Sequence, residues 1–290
     1  MYYGMIALSV LMFSTNFVFS RQYRQRMGSG FFQTFLLSFI GSVAGLISMT
    51  LISTLQNGRL SIEFSWFAFI MALTSVANGL LLNYCSLRTL GVVNLSMYSI
   101  IMMLGGMVLP SVVGVVFFDE GMTVAKGVCY ALITVSLLLT LEKSDKKGGF
   151  LWYVGVFVLN GMSGVITKIF NAAPYTRISA AGYSFLTAIC NFTVSGLLVL
   201  LLYRNFKGKI SFTAIGYGFA GGGINRIANF LLVAALAHVP ASVQYPMVTG
   251  GVMIVSTVIA FFTPSKPTNR QIASVILSFI GIVLLVTIPI

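Results

Sequence analysis

Apolar runs of about twenty residues recur along the whole 290-residue sequence. Each is long enough to cross a hydrocarbon layer of about 30 Å as a helix. Ten such runs are read: Tyr2–Ser20, Phe31–Leu55, Phe64–Leu87, Gly91–Phe118, Met122–Leu141, Phe150–Phe170, Ile178–Tyr203, Phe212–Ala237, Pro240–Thr263 and Arg270–Ile288. This pattern leaves little chain outside a bilayer, so no soluble domain is expected. Composition agrees: 58% of residues are hydrophobic and 8% charged, against about a quarter charged in a soluble domain. The first run lacks a basic leader and a small-residue cleavage site, so it is expected to be retained as a helix. The expected class is an all-α polytopic membrane protein.

The net charge of +12 does not point to nucleic acid, because the cations fall in short connections between spans, where they set orientation. The connections after the odd-numbered spans carry Arg21, Arg24, Arg26, Arg88, Lys143, Lys146, Lys147, Arg204, Lys207, Lys209, Lys266 and Arg270. The other side carries Arg59, Lys126, Lys168 and Arg177. Twelve against four places the first side in the cytoplasm and both termini outside. Cys85, Cys129 and Cys190 fall within spans and read as small apolar packing residues.

The sequence partly repeats at an offset of 147 residues. "GVCYALITVSLLLTL" from Gly127 lies over "SVILSFIGIVLLVTI" from Ser274, Asn78 over Asn225, and Tyr98 over Tyr245. Two halves follow, 1–141 and 150–290, joined by the polar linker 142–149, "EKSDKKGG". Each half has five spans. Five is odd, so the second half enters the membrane from the opposite face. Two inverted five-helix repeats are therefore expected, an arrangement suited to alternating access about a midplane site.

Several stretches carry a family resemblance. "FSTNFVFS" lies in the first span. "NYCSLRTLGVVNLSMYSI" leads to "LPSVVGVVFFDEGMTVAKGV", with a proline in the fourth span and an acidic turn before the fifth. "HVPASVQYPMVTGG" and "FFTPSKPTNRQIAS" echo these in the second half. Over its whole length the chain resembles the ten-helix EamA-like transporters of the drug/metabolite transporter superfamily. The resemblance implies a central cavity lined by helices one, three, four, six, eight and nine, with five and ten behind. Two departures stand out: the second-half turn has Lys266 in place of an acid, and the first span has no carboxylate of the kind that small four-helix multidrug relatives use for proton-coupled export.

The most pointed local feature is "GGGINRIANF", Gly221–Phe230, which sets Arg226 near the middle of an apolar run. The chain's five acids, Glu63, Asp119, Glu120, Glu142 and Asp145, lie in connections or at span ends, so none can pair with it at the midplane. A central arginine costs about 2.5–3.5 kcal/mol on insertion scales and generally faces a cavity or a partner. Asn225 and Asn229 share a helix face with Gly221 and Gly222. One reading gives Arg226 a substrate carboxylate, phosphate or sulfate, which its planar fork fits. The other gives it carbonyls of a broken neighbouring helix.

Further candidates to contact a substrate are Asn16, Asn78, Asn160, Tyr98, Tyr245 and Gln244; for the asparagines and tyrosines, helix packing is the alternative. Pro110 and Pro246 each remove a helix hydrogen bond and can leave carbonyls free at membrane depth. Arg88 and Lys168 are expected to snorkel to the interface, and His238, the single histidine, to lie at the surface.

The function expected is export or exchange of a small anionic or zwitterionic metabolite, such as an amino acid or phosphorylated compound. The location is a bacterial-type inner membrane. Alternatives are an exporter of drug-like or cationic compounds, a channel, or a non-transporting membrane subunit. An enzyme is not expected, nor is a metal or other cofactor. The expected partners are the substrate and the lipid bilayer, with homodimerisation left open.

Overall fold

The structure is a computed structural model. It describes residues 1–57, 63–92, 95–119, 121–139, 150–175, 178–261 and 268–287, with most of their side chains. The linker 142–149, and with it Lys143, Lys146 and Lys147, lies outside the described residues. So do Arg59, Glu120, Arg177 and Lys266.

Ten α-helices are present: α1 (Tyr2–Met27), α2 (Phe31–Asn57), α3 (Trp66–Thr89), α4 (Leu95–Phe117), α5 (Val124–Leu139), α6 (Phe150–Ala172), α7 (Ala180–Tyr203), α8 (Phe212–Leu236), α9 (Ala241–Phe261) and α10 (Asn269–Thr287). No strand occurs among the described residues. Seven helices are long and apolar enough to cross a membrane: α1, α2, α3, α6, α7, α8 and α9. The other three contain shorter apolar stretches, Ile101–Phe117, Val124–Ser136 and Ile272–Leu284. A multi-pass membrane protein accommodates this composition. In hydrocarbon the helix is also the natural choice, because it satisfies each backbone N–H and C=O within one segment.

Helix ends carry local reasons. Ser179 opens α7, its hydroxyl accepting from the Gly182 N–H at 3.0 Å. Glu63, in the α2–α3 connection, accepts in turn from the backbone N–H and hydroxyl of Ser179. Ser211 caps α8 in the same way through the Ala214 N–H. The first helix runs past the expected Ser20 to Met27, so Arg21, Arg24 and Arg26 lie on its last turns and not in a loop. It stops at Gly28, whose φ of 86° suits a residue without a Cβ.

Helix pairing has a regular form. α1 packs on α8 and α9, α6 on α3 and α4, α2 on α7 and α8, and α3 also on α7. α4 packs on α9, and α5 on α10. The α5–α10 pair sits to one side, where the buried Ser136 hydroxyl donates to the Ser274 carbonyl at 2.6 Å and meets the Ser278 hydroxyl at 2.8 Å. Helix α9 continues through Pro246, which cannot donate to the Ser242 carbonyl; the Tyr130 hydroxyl of α5 donates there at 2.9 Å.

Close approach between helices rests on glycines. At the α2–α8 crossing Gly222 lies against the Gly41 backbone. At the α4–α6 crossing Gly105 lies against the Phe157 carbonyl, and a Cβ on Gly161 would stand 2.6 Å from the Gly105 oxygen. No side chain fits these contacts, which are the small-residue packing available where lipid gives helices no hydrophobic drive to associate.

Gly105→Val is expected to lower the melting temperature of the purified protein sharply, with an overpacking penalty of at least about 1–3 kcal/mol. Gly216→Ala is the control, since nothing lies within 4 Å of its added Cβ, and it is expected to hold or slightly raise melting. Equal melting of the two variants would refute this account of the crossing.

Candidate functional site

The inner faces of the bundle enclose a cavity of about 330 Å³. Eight helices line it, α1 to α4 and α6 to α9; among the described residues α5 and α10 contribute nothing. The lining is therefore wider than the six helices expected, because α2 brings Leu37, Ser38 and Gly41, and α7 brings Thr187 and Asn191.

Helix α8 supplies the most distinctive group. Gly218, Gly221 and Gly222 line the cavity together with Asn225, Arg226 and Asn229, as their shared helix face requires. The Arg226 stem rests on α2, where a Cβ added to Gly45 would lie 3.2 Å from both Cγ and Nε. Gly45 thus makes the groove in which the arginine lies. Among the described residues the guanidinium has neither a hydrogen-bond acceptor nor a carboxylate partner. Next to it the Asn229 amide donates to the Asn225 carbonyl at 2.8 Å and to the Asn225 Oδ1 at 2.9 Å, which aligns the two asparagines along one side of the helix.

The remaining expected residues divide. Asn16 lines the cavity from α1, its Oδ1 2.9 Å from where a Gly221 Cβ would stand. Tyr98 and Tyr245 both line it, in unlike ways. Tyr98 is buried with its ring edge-on to Phe17, centroids 5.7 Å apart. The Tyr245 hydroxyl donates to the Gly164 carbonyl of α6 at 3.0 Å. Gln244 lines the cavity with 1% of its surface exposed. Its Nε2 donates to the Leu232 carbonyl at 3.1 Å, and its Oε1 is buried with no partner among the described residues.

Asn78 does not reach the cavity wall. It is buried at the α3–α6 seam, donating to the Leu159 carbonyl at 2.9 Å and the Ser163 hydroxyl at 2.8 Å. Its neighbour Gly79 lines the cavity instead, with open space where a Cβ would be.

Sequence reasoning passed over a polar joint between α2, α3 and α7. Asn83 donates to the Ser38 hydroxyl at 2.9 Å, and Asn191 to the Ser38 carbonyl at 3.3 Å; all three residues line the cavity. Asn191 carried a usable signal, as a lone amide in the middle of the most apolar of the seven long helices. The expectation that Arg88 and Lys168 snorkel is not met in simple form. The Arg88 guanidinium lies over the rings of Tyr84 and Trp152, with Nε buried. Lys168 is buried, its ammonium 5.1 Å from the Phe118 ring centre. Lys168 is the departure from that expectation, whereas Arg88 as a whole is only half-buried. His238 is exposed and stacks on Tyr2 at 4.0 Å.

Asn78→Ala is expected to lower stability by about 1–2 kcal/mol through loss of a buried hydrogen-bonded amide. Asn225→Ala is expected to lower it by less than half as much, since Asn229 keeps the backbone carbonyl of residue 225 as acceptor. Melting curves of the two proteins check the contrast, and a reversed order would overturn this division between seam and cavity.

No family model matches the sequence, and no curated protein matches it. Solved structures do resemble it. One, a crystal structure described only as that of a protein, aligns over 96% of this chain and 95% of its own with a TM-score of 0.64 at 12% identity. That likeness is to a fold shared from end to end.

Proposed function

We propose that this chain is a secondary transporter, an exporter or exchanger of the drug/metabolite transporter type. In this reading all ten helices span the membrane and a small anionic or zwitterionic organic metabolite moves by alternating access. The observation that carries the proposal is the guanidinium of Arg226, which makes no hydrogen bond or ion pair among the described residues, in a cavity of mixed polar and apolar lining inside an apolar bundle. Intramembrane cations are costly and mark ligand or ion paths. A planar fork with no protein acceptor suits a carboxylate or phosphate.

The helix pairings support two related halves. Exchange every helix for the one five places on: α1–α8 becomes α6–α3, α4–α6 becomes α9–α1, and α2–α8 becomes α7–α3. The pairs α2–α7, α4–α9 and α5–α10 map onto themselves. The outer pair is less regular, since α9 packs on α10 more extensively than α4 does on α5. With five helices in each half, the relating axis lies in the membrane plane. A site at the interface of such halves is the one that rocking exposes to each side in turn. The chain's few acids lie in connections and span ends, so no midplane carboxylate is available to carry a coupled proton. Exchange or facilitated export fits this better than proton antiport.

The twelve-to-four distribution of Lys and Arg favours external termini. A C-terminal phosphatase fusion, active only outside the cytoplasm, is expected to be active; a silent phosphatase with an active cytoplasmic reporter would reverse the orientation.

The principal test is flux. Proteoliposomes are assayed with labelled amino acids and sugar phosphates, and a carrier is expected to show saturation and trans-stimulation. Arg226→Lys is expected to impair the flux found, because an ammonium does not reproduce the two-pronged geometry. Arg226→Gln is expected to impair it further with melting unchanged or raised, since no carbonyl depends on this arginine. Full flux in Arg226→Gln would remove the arginine from the substrate site.

A further inference from the structure

Four of the cavity's amides are not free to turn. Asn160 of α6 donates its Nδ2 to the Met102 carbonyl at 2.6 Å. Asn191 donates to the Ser38 carbonyl, Asn229 to the Asn225 carbonyl and Gln244 to the Leu232 carbonyl. A backbone carbonyl accepts and never donates, so in each case the NH2 must face it. The amide oxygen is thereby set on the other side. Among the described residues no donor reaches the oxygens of Asn160, Asn191 or Asn229, and that of Gln244 is buried and unpartnered. All four residues line the cavity.

The backbone adds to the same tendency. Pro110 has no N–H, so the carbonyl of Gly106 lacks its usual donor four residues on, and Gly106 also lines the cavity. The spare donors lie on α8 and on α1 facing it, where the Asn16 Nδ2 makes no hydrogen bond among the described residues. Arg226 has its whole guanidinium uncommitted to hydrogen bonds, and the Asn225 Nδ2 makes none among the described residues. The cavity is therefore polarised. Donors concentrate on α8 and the facing α1, and acceptors on α4, α6 and α7, with Asn229 at the boundary.

A ligand that is only an anion would answer the arginine and leave the acceptors unmet. Buried acceptors left without donors are penalised, and sites built around hydrogen bonds reject analogues that lack the matching group. Resting on the anion reading above, we infer that the cavity selects anions carrying N–H or O–H donors of their own. The anion lies at Arg226, and the donors are read by the oxygens of Asn160, Asn191 and Gly106. Bare carboxylates, and phosphate or sulfate esters without further hydroxyl or ammonium groups, are disfavoured by what they lack. An α-ammonium and a set of hydroxyls are two sources of the same chemistry.

Matched pairs test this on the purified full-length protein, by thermal shift and by competition in proteoliposome counterflow. One arm sets the protein amino acids against the corresponding deaminated carboxylates. The other sets triose and hexose phosphates against alkyl phosphates of the same length. In at least one arm the donor-bearing member is expected to bind at least about tenfold more tightly, the equivalent of a single well-made hydrogen bond. The arm that responds identifies ammonium or hydroxyl. Asn191→Ala and Asn160→Ala are expected to narrow the ratio, weakening the donor-bearing member more than the donor-free one. Should either variant melt early, the wild-type ratio alone still decides. Donor-free anions binding as tightly as their partners, and lost in Arg226→Gln, would overturn the inference and leave the anion site standing. No binding by any anion, or binding unchanged in Arg226→Gln, would overturn both.

Discussion

A hydrocarbon layer offers no water to a backbone amide. Every N–H and C=O in it must be satisfied by the chain itself, and the helix does this one segment at a time. The consequence is a protein whose described segments pair almost entirely as helices. Where a proline breaks the scheme, the structure answers: Pro246 deprives the Ser242 carbonyl, and Tyr130 reaches over from α5 to donate to it. Helices that meet their own backbone needs have little reason to adhere in lipid, so association falls to close packing. The crossings at Gly41–Gly222 and Gly105–Phe157 bring main chain against main chain. The same economy shapes the interior, because polar side chains are tolerated where they pair or where they face a common cavity.

The cavity holds a large share of the chain's interior polarity. Amides and hydroxyls from eight helices converge there, while α5 and α10 pack behind through serines that bond to each other, to backbone and to the Met253 sulfur. Arg226 is a charged exception to internal pairing. Its aliphatic stem is housed by Gly45, yet its charged end makes no hydrogen bond or ion pair among the described residues, with Tyr183 of α7 as an electrostatic neighbour. The arrangement stabilises the position of the side chain and leaves its chemistry unspent, which separates a binding group from a structural one.

Much of the helical layout was legible in the sequence, because apolar run length translates directly into helix length. The starts of α2, α6 and α8 fall on the residues expected. Arg226, Asn225 and Asn229 were also legible together, since four-residue spacing fixes a face. Phase was not legible. Asn78 and Gly79 are adjacent, and a rotation of about 100° between neighbours puts one in the α3–α6 seam and the other on the cavity wall. An alignment of halves at one offset cannot see that difference. The joint of Ser38, Asn83 and Asn191 escaped for another reason: it is made by three helices distant in sequence, and no single segment announces it. The end of α1 was misjudged because polar residues were read as a loop, whereas Gln22 to Arg26 continue the helix until Gly28 ends it.

The crossing of α2 and α8 has a mechanical meaning. Most packed interfaces are held by side chains, which can change rotamer and follow a moving neighbour. At Gly41 and Gly222 there are none to do so. Forming this contact costs no side-chain entropy, and dispersion falls off so steeply that a gap of about 0.5–1 Å already forfeits a quarter to a half of the attraction. Such a contact behaves as a rivet rather than a hinge. Large displacements of α8, and of the arginine it carries, are then coupled to displacement of α2, so that the cation travels with the helix that houses its stem.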